Sequence, residues 1–168
     1  MNTHLQKTTL SSCKGFSVLD LLIAAVLVLI VISYTVGTVV RGQKPALRMS
    51  AAQQFANYLQ RARDDSMRRR ATVPDQMAQV TILNNKYYWV TMDANGDGVL
   101  DTPIVISLAE QPATLNGPFP RTVMFDSTGK PVESHAQVIQ VSPITFANSS
   151  GTSTIKVSDN GQAVLEKP

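Results

Sequence analysis

Cysteine is almost missing from this 168-residue chain: its one thiol is Cys13. That excludes a disulfide framework, a cysteine zinc site and a cysteine nucleophile anywhere after residue 13. Histidine is nearly as scarce, with His4 close to the start and His135 in the polar stretch Glu133-Ser-His135-Ala. No nucleophile–base pair and no His or Cys ligand cluster can be assembled from that stock, so the chain does not read as an enzyme. Aromatic residues make up 6% and charged residues 16%. The net charge of +3 includes Lys7 and Lys14; beyond residue 15, thirteen basic residues face twelve acidic ones. The basic balance therefore gives no general argument for a polyanionic partner.

What the chain does have is one long apolar run. Phe16 to Val40 is 25 residues, and Leu21 to Ile32 contains neither a charge nor a hydroxyl. As a helix at about 1.5 Å per residue, such a run crosses a hydrocarbon core of about 30 Å. Lys7 and Lys14 hold their end in the cytoplasm by the positive-inside rule, which places the C-terminal part outside. A cleaved secretory signal fits poorly, because the polar residues 1–15 precede the apolar core and no small-residue cleavage site closes it. The lipidation-like spacing Leu10-Ser11-Ser12-Cys13 lacks the upstream apolar core that such a box needs. Asp20 is the odd residue: a carboxylate within a span costs about 2.5–3.5 kcal/mol on insertion scales, which makes it a functional-site candidate.

These residues resemble the class III (type IV prepilin) signal. A polar leader, residues 1–15, ends in Lys14-Gly15; Phe16 follows as first mature residue, and Ser17-Val18-Leu19-Asp20-Leu21-Leu22 takes the place of the usual T-L-I-E-L-L. The resemblance implies cleavage after Gly15 by a prepilin peptidase, methylation of the Phe16 amine, and pairing of Asp20 with the N-terminal amine of a neighbouring subunit. A positive amine and a carboxylate, each costly in lipid, become tolerable when they meet. Asp replaces the usual Glu, and Gly37 stands where many pilins carry a helix-kinking proline.

Residues 41–72 read as the second, amphipathic half of the same helix. Arg41-Gly42-Gln43-Lys44-Pro45 breaks the apolar run, and Pro45 is expected to kink or interrupt the helix. From there Leu47, Ala51, Phe55, Tyr58 or Leu59, and Ala62 form a stripe at spacings of three and four, expected to pack on the protein's own sheet. The helix should end near residues 70–72, before Pro74, with Arg68, Arg69 and Arg70 suited to its partly negative C-terminus. Together with Arg61 and Arg63 these arginines are also candidates for phosphate contacts to DNA.

Residues 73–168 change to short β-rich runs between turn residues. Strands are expected over 78–83 and 86–92 around a tight Asn84-Asn85 hairpin, then over 99–108, 121–125, 137–146, 152–157 and 162–165, with 112–120 as a loop. Trp89 is expected in the core or on a sheet face. Asp93, Asn95 and Asp97, with Gly98 and Asp101, carry oxygens at every second position of a turn, as in the first part of a calcium loop. Ile104 occupies the position where that loop needs its bidentate glutamate. Calcium is the one cofactor the sequence raises.

The segment Trp89-Val-Thr-Met-Asp93-Ala-Asn95-Gly-Asp97-Gly98 resembles the W-x-V-F-x-D-x-N-x-D-G segment of the GspH/FimT pseudopilins. Val123-Met-Phe125-Asp-Ser-Thr-Gly129-Lys130 and Ile155-Lys-Val-Ser-Asp-Asn-Gly161-Gln162 look like their two V/I-x-F/V-x-x-x-G-R turns, with Lys130 and Gln162 in place of arginine. Leu59-Gln-Arg-Ala62-Arg63-Asp-Asp-Ser66 resembles their L-x-x-A-R-x-x-A helix core, with Ser66 for the last alanine. The resemblance implies an α+β, type IV pilin-like fold: a long N-terminal helix, transmembrane over 16–40 and amphipathic over 41–72, packed on a C-terminal antiparallel sheet domain, 73–168. It also implies a minor pilin or type II secretion pseudopilin, single-pass in the inner membrane with a periplasmic C-terminal domain. Its partners would be the prepilin peptidase, other pilins and the assembly platform, with a place at or near a filament tip. Alternative readings are a DNA-binding minor pilin and a calcium-stabilised adhesion or receptor module.

Overall fold

The computed structural model describes residues 17–132 and 138–166, and for 34–42 the backbone alone. The processing residues Lys14, Gly15 and Phe16, and His135, lie outside the described residues. The α-helix α1 runs over Val18–Arg69 and passes through Pro45 unbroken. The chain divides after Arg41 into two compact units. In the first, every described side chain from Ser17 to Ser33 is exposed, the apolar ones included. Among the described residues no helix is long and apolar enough to cross a membrane. The start of the 16–40 run and its side chains after Ser33 lie outside that description.

Among the described residues the second unit pairs the end of α1 with nine strands: β1 Gln79–Ile82, β2 Tyr87–Thr91, β3 Ile104–Ser107, β4 Thr114–Asn116, β5 Arg121–Phe125, β6 Pro131–Val132, β7 Ile144–Asn148, β8 Gly151–Val157 and β9 Ala163–Glu166. They form two antiparallel sheets rather than the single sheet expected. The five-stranded sheet has the order β3-β2-β1-β5-β6 and the four-stranded sheet the order β4-β7-β8-β9. Strand periodicity marks each strand but not its partner, which explains the difference.

Several boundaries also move. The strand expected from Val99 begins only at Ile104, because 93–101 is consumed by a hydrogen-bonded loop. The one expected from Gln137 begins at Ile144, and Val138 makes only an isolated bridge to Val132. Thr114–Asn116, placed in a loop, pairs with β7. The β1–β2 turn is wider than Asn84-Asn85 alone, because Asn84 Oδ1 accepts the N–H groups of Lys86 (2.8 Å) and Tyr87 (3.0 Å).

The core lies between α1 and both sheets. Ala51, Ala52, Phe55, Leu59 and Ala62 bury the helical stripe against Val80, Tyr88, Val90 and Phe125 of one sheet and Ile144, Phe146 and Ile155 of the other. Phe55 joins the two. Its ring meets Tyr88 edge-on at 4.9 Å and Phe146 at 5.6 Å between centroids, a favoured aromatic geometry. Alternation along β2 sends Tyr88 and Val90 inward and leaves Tyr87 and Trp89 on the outer face, as the two-residue period of a strand requires.

Leu47 does not belong to the stripe and is exposed. The buried residue of that turn is Arg48, with 5% exposure. Its guanidinium is taken up by polar groups of the β7–β8 turn and by Ser153, so it enters the domain where an aliphatic residue was expected.

Candidate functional site

At its N-terminus α1 is closed by its own side chains. Ser17 Oγ accepts the Leu19 N–H at 3.3 Å, and Asp20 Oδ2 accepts the Ser17 N–H at 3.3 Å. This reciprocal pattern is a capping box with Asp in the position usually held by Glu. The Ser17-x-x-Asp20 spacing carries that signal in the sequence. Asp20 is exposed, and its carboxylate is directed back along the chain towards the residue that follows Phe16. A carboxylate there also complements the partial positive charge of a helix N-terminus.

The other end of α1 carries the arginine run. Arg70 takes φ 53°; the Arg70 N–H reaches Met67 O (3.2 Å) and the Ala71 N–H reaches Ser66 O (3.0 Å). That pair of bonds is a Schellman cap, built here on a non-glycine residue. Inside the last turns Asp65 collects three donors: Arg68 Nη2 at 2.9 Å, Arg69 Nε at 3.0 Å and the Asp93 N–H at 3.1 Å. Burial pushes the Asp65 carboxyl up, but the bonds from Arg69, Arg68 and the Asp93 N–H outweigh it and hold the group below the ordinary carboxylate range. Ser66, the departure from the family's alanine, accepts the buried Ala78 N–H at 2.8 Å.

The oxygen-rich loop after β2 folds onto this turn. Asp93 Oδ1 accepts the N–H groups of Gly96 (2.6 Å) and Asp97 (3.2 Å); its Oδ2 accepts Gly98 N–H (2.9 Å) and Arg68 Nη2 (3.0 Å). Burial opposes ionisation of Asp93, yet the Gly98 and Gly96 N–H groups and the Arg68 charge prevail and hold its carboxyl low. Asn95 Oδ1 accepts the Asp97 N–H, Asp97 Oδ1 the Val99 N–H, and Asp101 Oδ2 the Ala94 N–H, each at 2.8 Å. The calcium candidates Asp93, Asn95, Asp97 and Asp101 thus direct these oxygens at N–H donors, and Arg68 supplies the cation at Asp93. Among the described residues no group of three or more His, Cys, Asp or Glu side chains is placed to hold a metal ion.

The DNA candidates separate in the same way. Arg68 and Arg69 are paired with Asp65. Arg63 Nε donates to Gly129 O at 3.2 Å and to Asn160 O at 3.1 Å. It therefore joins the tips of the β5–β6 and β8–β9 turns, which belong to different sheets. These turns approach so closely that a Cβ on Gly161 would stand 1.8 Å from Gly129 O. Arg61 and Arg70 are exposed and, among the described residues, make no ion pair. Arg61 borders an open cleft of about 490 Å³ shared with Asp64, Asp65, Arg68 and the loop from Met92 to Gly96. The convergence of Arg63 with the two glycine turns was not visible in sequence, although each motif was.

A helix seated on two antiparallel sheets, pinned at its last turns by an Asp–Arg network, is an α+β build consistent with a pilin-like fold. Residues 51–161 match the family model described as type II transport protein GspH. The chain belongs to the GspH family, whose members are structural pseudopilins of type II secretion and not enzymes. No curated protein and no solved structure matches it. Membership associates the chain with other pseudopilins and with a membrane-associated, periplasmic assembly.

Proposed function

We propose that this chain is a minor pseudopilin, or minor pilin, that is cleaved after Gly15, methylated at Phe16 and held in the inner membrane by residues 16–40. Its C-terminal domain faces the periplasm until the subunit is drawn into a type II secretion pseudopilus or type IV pilus, at or near the tip. Prepilin peptidase, the other pilins and the assembly platform are its partners. The observation that carries this reading is the exposed stretch 17–33, apolar except for its ends and Asp20. An apolar surface of this kind needs lipid or neighbouring helices around it. Asp20 lies beside the expected new N-terminus, where a charged amine of an adjacent subunit provides its counter-ion. The test is mass spectrometry of the chain extracted from membranes of cells with active prepilin peptidase. The expected N-terminus is methylated Phe16; a chain retaining residues 1–15 overturns the reading.

A further inference from the structure

Arg48 is a buried guanidinium without a carboxylate. Its Nε donates to Ser153 Oγ at 3.0 Å, and its Nη1 donates to Asn148 Oδ1 at 3.1 Å and Ser150 Oγ at 3.2 Å. All three acceptors are neutral. Among the described residues no acid makes an ion pair with Arg48, and Nη2 donates no hydrogen bond. Neutral oxygens satisfy N–H groups, but they do not compensate a full charge removed from water. A second cation stands beside it: Lys44 Nζ lies 3.4 Å from Ser149 Oγ, and Asn148 Nδ2 fixes the Lys44 carbonyl at 2.8 Å. The turn between β7 and β8 therefore presents hydroxyls and two positive charges together.

Arg48 also lines a cleft of about 190 Å³ whose other walls include Pro45, Ala46, Met49 and Leu165. Glu166 borders the same cleft, with its carboxylate held by Lys156 Nζ at 2.5 Å. A cationic group beside apolar walls suits an amphiphilic anion. In the sequence, Lys44 and Arg48 come four and eight positions after Val40, where the apolar run ends.

We propose that this cleft takes the phosphate of a membrane phospholipid headgroup, bound by Arg48, with the glycerol backbone against Pro45, Ala46 and Met49, and that Lys44, against the adjoining β7–β8 turn, adds positive charge nearby. The assignment of a lipid source rests on the reading of residues 16–40 as a membrane anchor. The Nη2 N–H groups, which donate to nothing among the described residues, are what Arg48 has left to offer a phosphate oxygen, and a charge-assisted bond there supplies the anion that Arg48 lacks.

The full-length chain in a phosphate-free nonionic detergent, titrated with phosphatidylglycerol and separately with inorganic phosphate, tests this by native mass spectrometry. The expected result is one saturable lipid per chain, with affinity reduced about tenfold by Arg48→Gln, the loss of one charge-assisted contact. Ala46→Asp, at an exposed position on the cleft wall, reduces binding as well and guards against misfolding of the Arg48 variant. Lipid binding unchanged in both variants overturns the proposal. Equal saturation by inorganic phosphate overturns the lipid source in favour of a free anion. A carboxylate of a neighbouring pilin cross-linked at residue 46 in lipid-free filaments overturns it in favour of a subunit contact. The mass of the processed N-terminus is independent of Arg48, so failure here leaves the pseudopilin reading to be judged separately.

Discussion

Arg68 and Asp93 stand 25 positions apart in sequence and 3.0 Å apart in space. Through that pair, and through Asp65 at 2.9 Å from the same Nη2, one guanidinium fastens the loop after β2 to the last turns of α1. The carboxyls of Asp65 and Asp93 are both held below their ordinary value of 3.8.

Acid should undo this arrangement. A carboxyl whose pKa is lower in the folded than in the unfolded state contributes stability that is complete above the unfolded value, near 4. That contribution is lost as pH falls through the folded value. Melting temperature should therefore be level at neutral pH and fall below about pH 4. Asp93→Asn should melt lower at pH 7 and show a shallower loss on acidification, because one linked proton has been removed. An unchanged acid slope in that variant contradicts the assignment.

Gly161 and Gly129 set a second constraint. Gly161 adopts φ 77°, and a Cβ there would meet Gly129 O at 1.8 Å. Gly161→Ala should cost about 3 kcal/mol or more, since backbone strain adds to displacement of one turn from the other. Gly98 supplies the control: its φ is 89° but an added Cβ meets nothing within 4 Å. Gly98→Ala should cost only about 1–2 kcal/mol, the penalty for a left-handed non-glycine residue. Thermal unfolding of the two variants side by side checks the ranking, and equal losses would refute the close approach.

Tyr88 offers a change in the opposite direction. Its ring is fully buried, and among the described residues its hydroxyl has no hydrogen-bond partner. Burial pushes the phenol pKa up, with the neighbouring Tyr58 adding to the shift. Tyr88→Phe keeps the edge-on contact with Phe55 and removes an unsatisfied polar atom. The expected gain is about 1 kcal/mol, read as a melting temperature higher by a few degrees. A lower one would mean that the hydroxyl is satisfied in solution.

The helical stripe was legible because burial repeats with the helix, and Ala51, Phe55, Leu59 and Ala62 follow that period. Leu47 broke it because Arg48 finds its partners about 100 positions away, in a turn that periodicity cannot connect to it. The strands were legible as runs of β-branched and aromatic residues between turns. Their division into two sheets was not, since alternation along a strand is the same in either sheet. At Asp93 the spacing of the oxygens could be read, but their partners could not. The backbone N–H groups and Arg68 that occupy them leave no trace in a local pattern. Likewise the arginines of the last turns formed a charge run in sequence, whereas the fold gives Arg68 and Arg69 a shared partner in Asp65 and ties Arg63 to two turn carbonyls. The proposed processing signal is the opposite case: it is read from residues 14–20 alone.

Asp20 is the residue on which assembly is proposed to turn, and its capping bond to Ser17 gives it a second role that must be separated from assembly. Asp20→Asn keeps a side-chain acceptor for the Ser17 N–H and removes the charge, while Asp20→Glu keeps both. The decisive measurement is the amount of each variant in sheared, purified filaments relative to the amount in the membrane. Asp20→Asn should be processed and inserted normally but fall at least about tenfold in filaments, the loss of roughly one charge pairing, while Asp20→Glu should be incorporated normally. Incorporation of Asp20→Asn at the unmodified level would contradict that role in assembly.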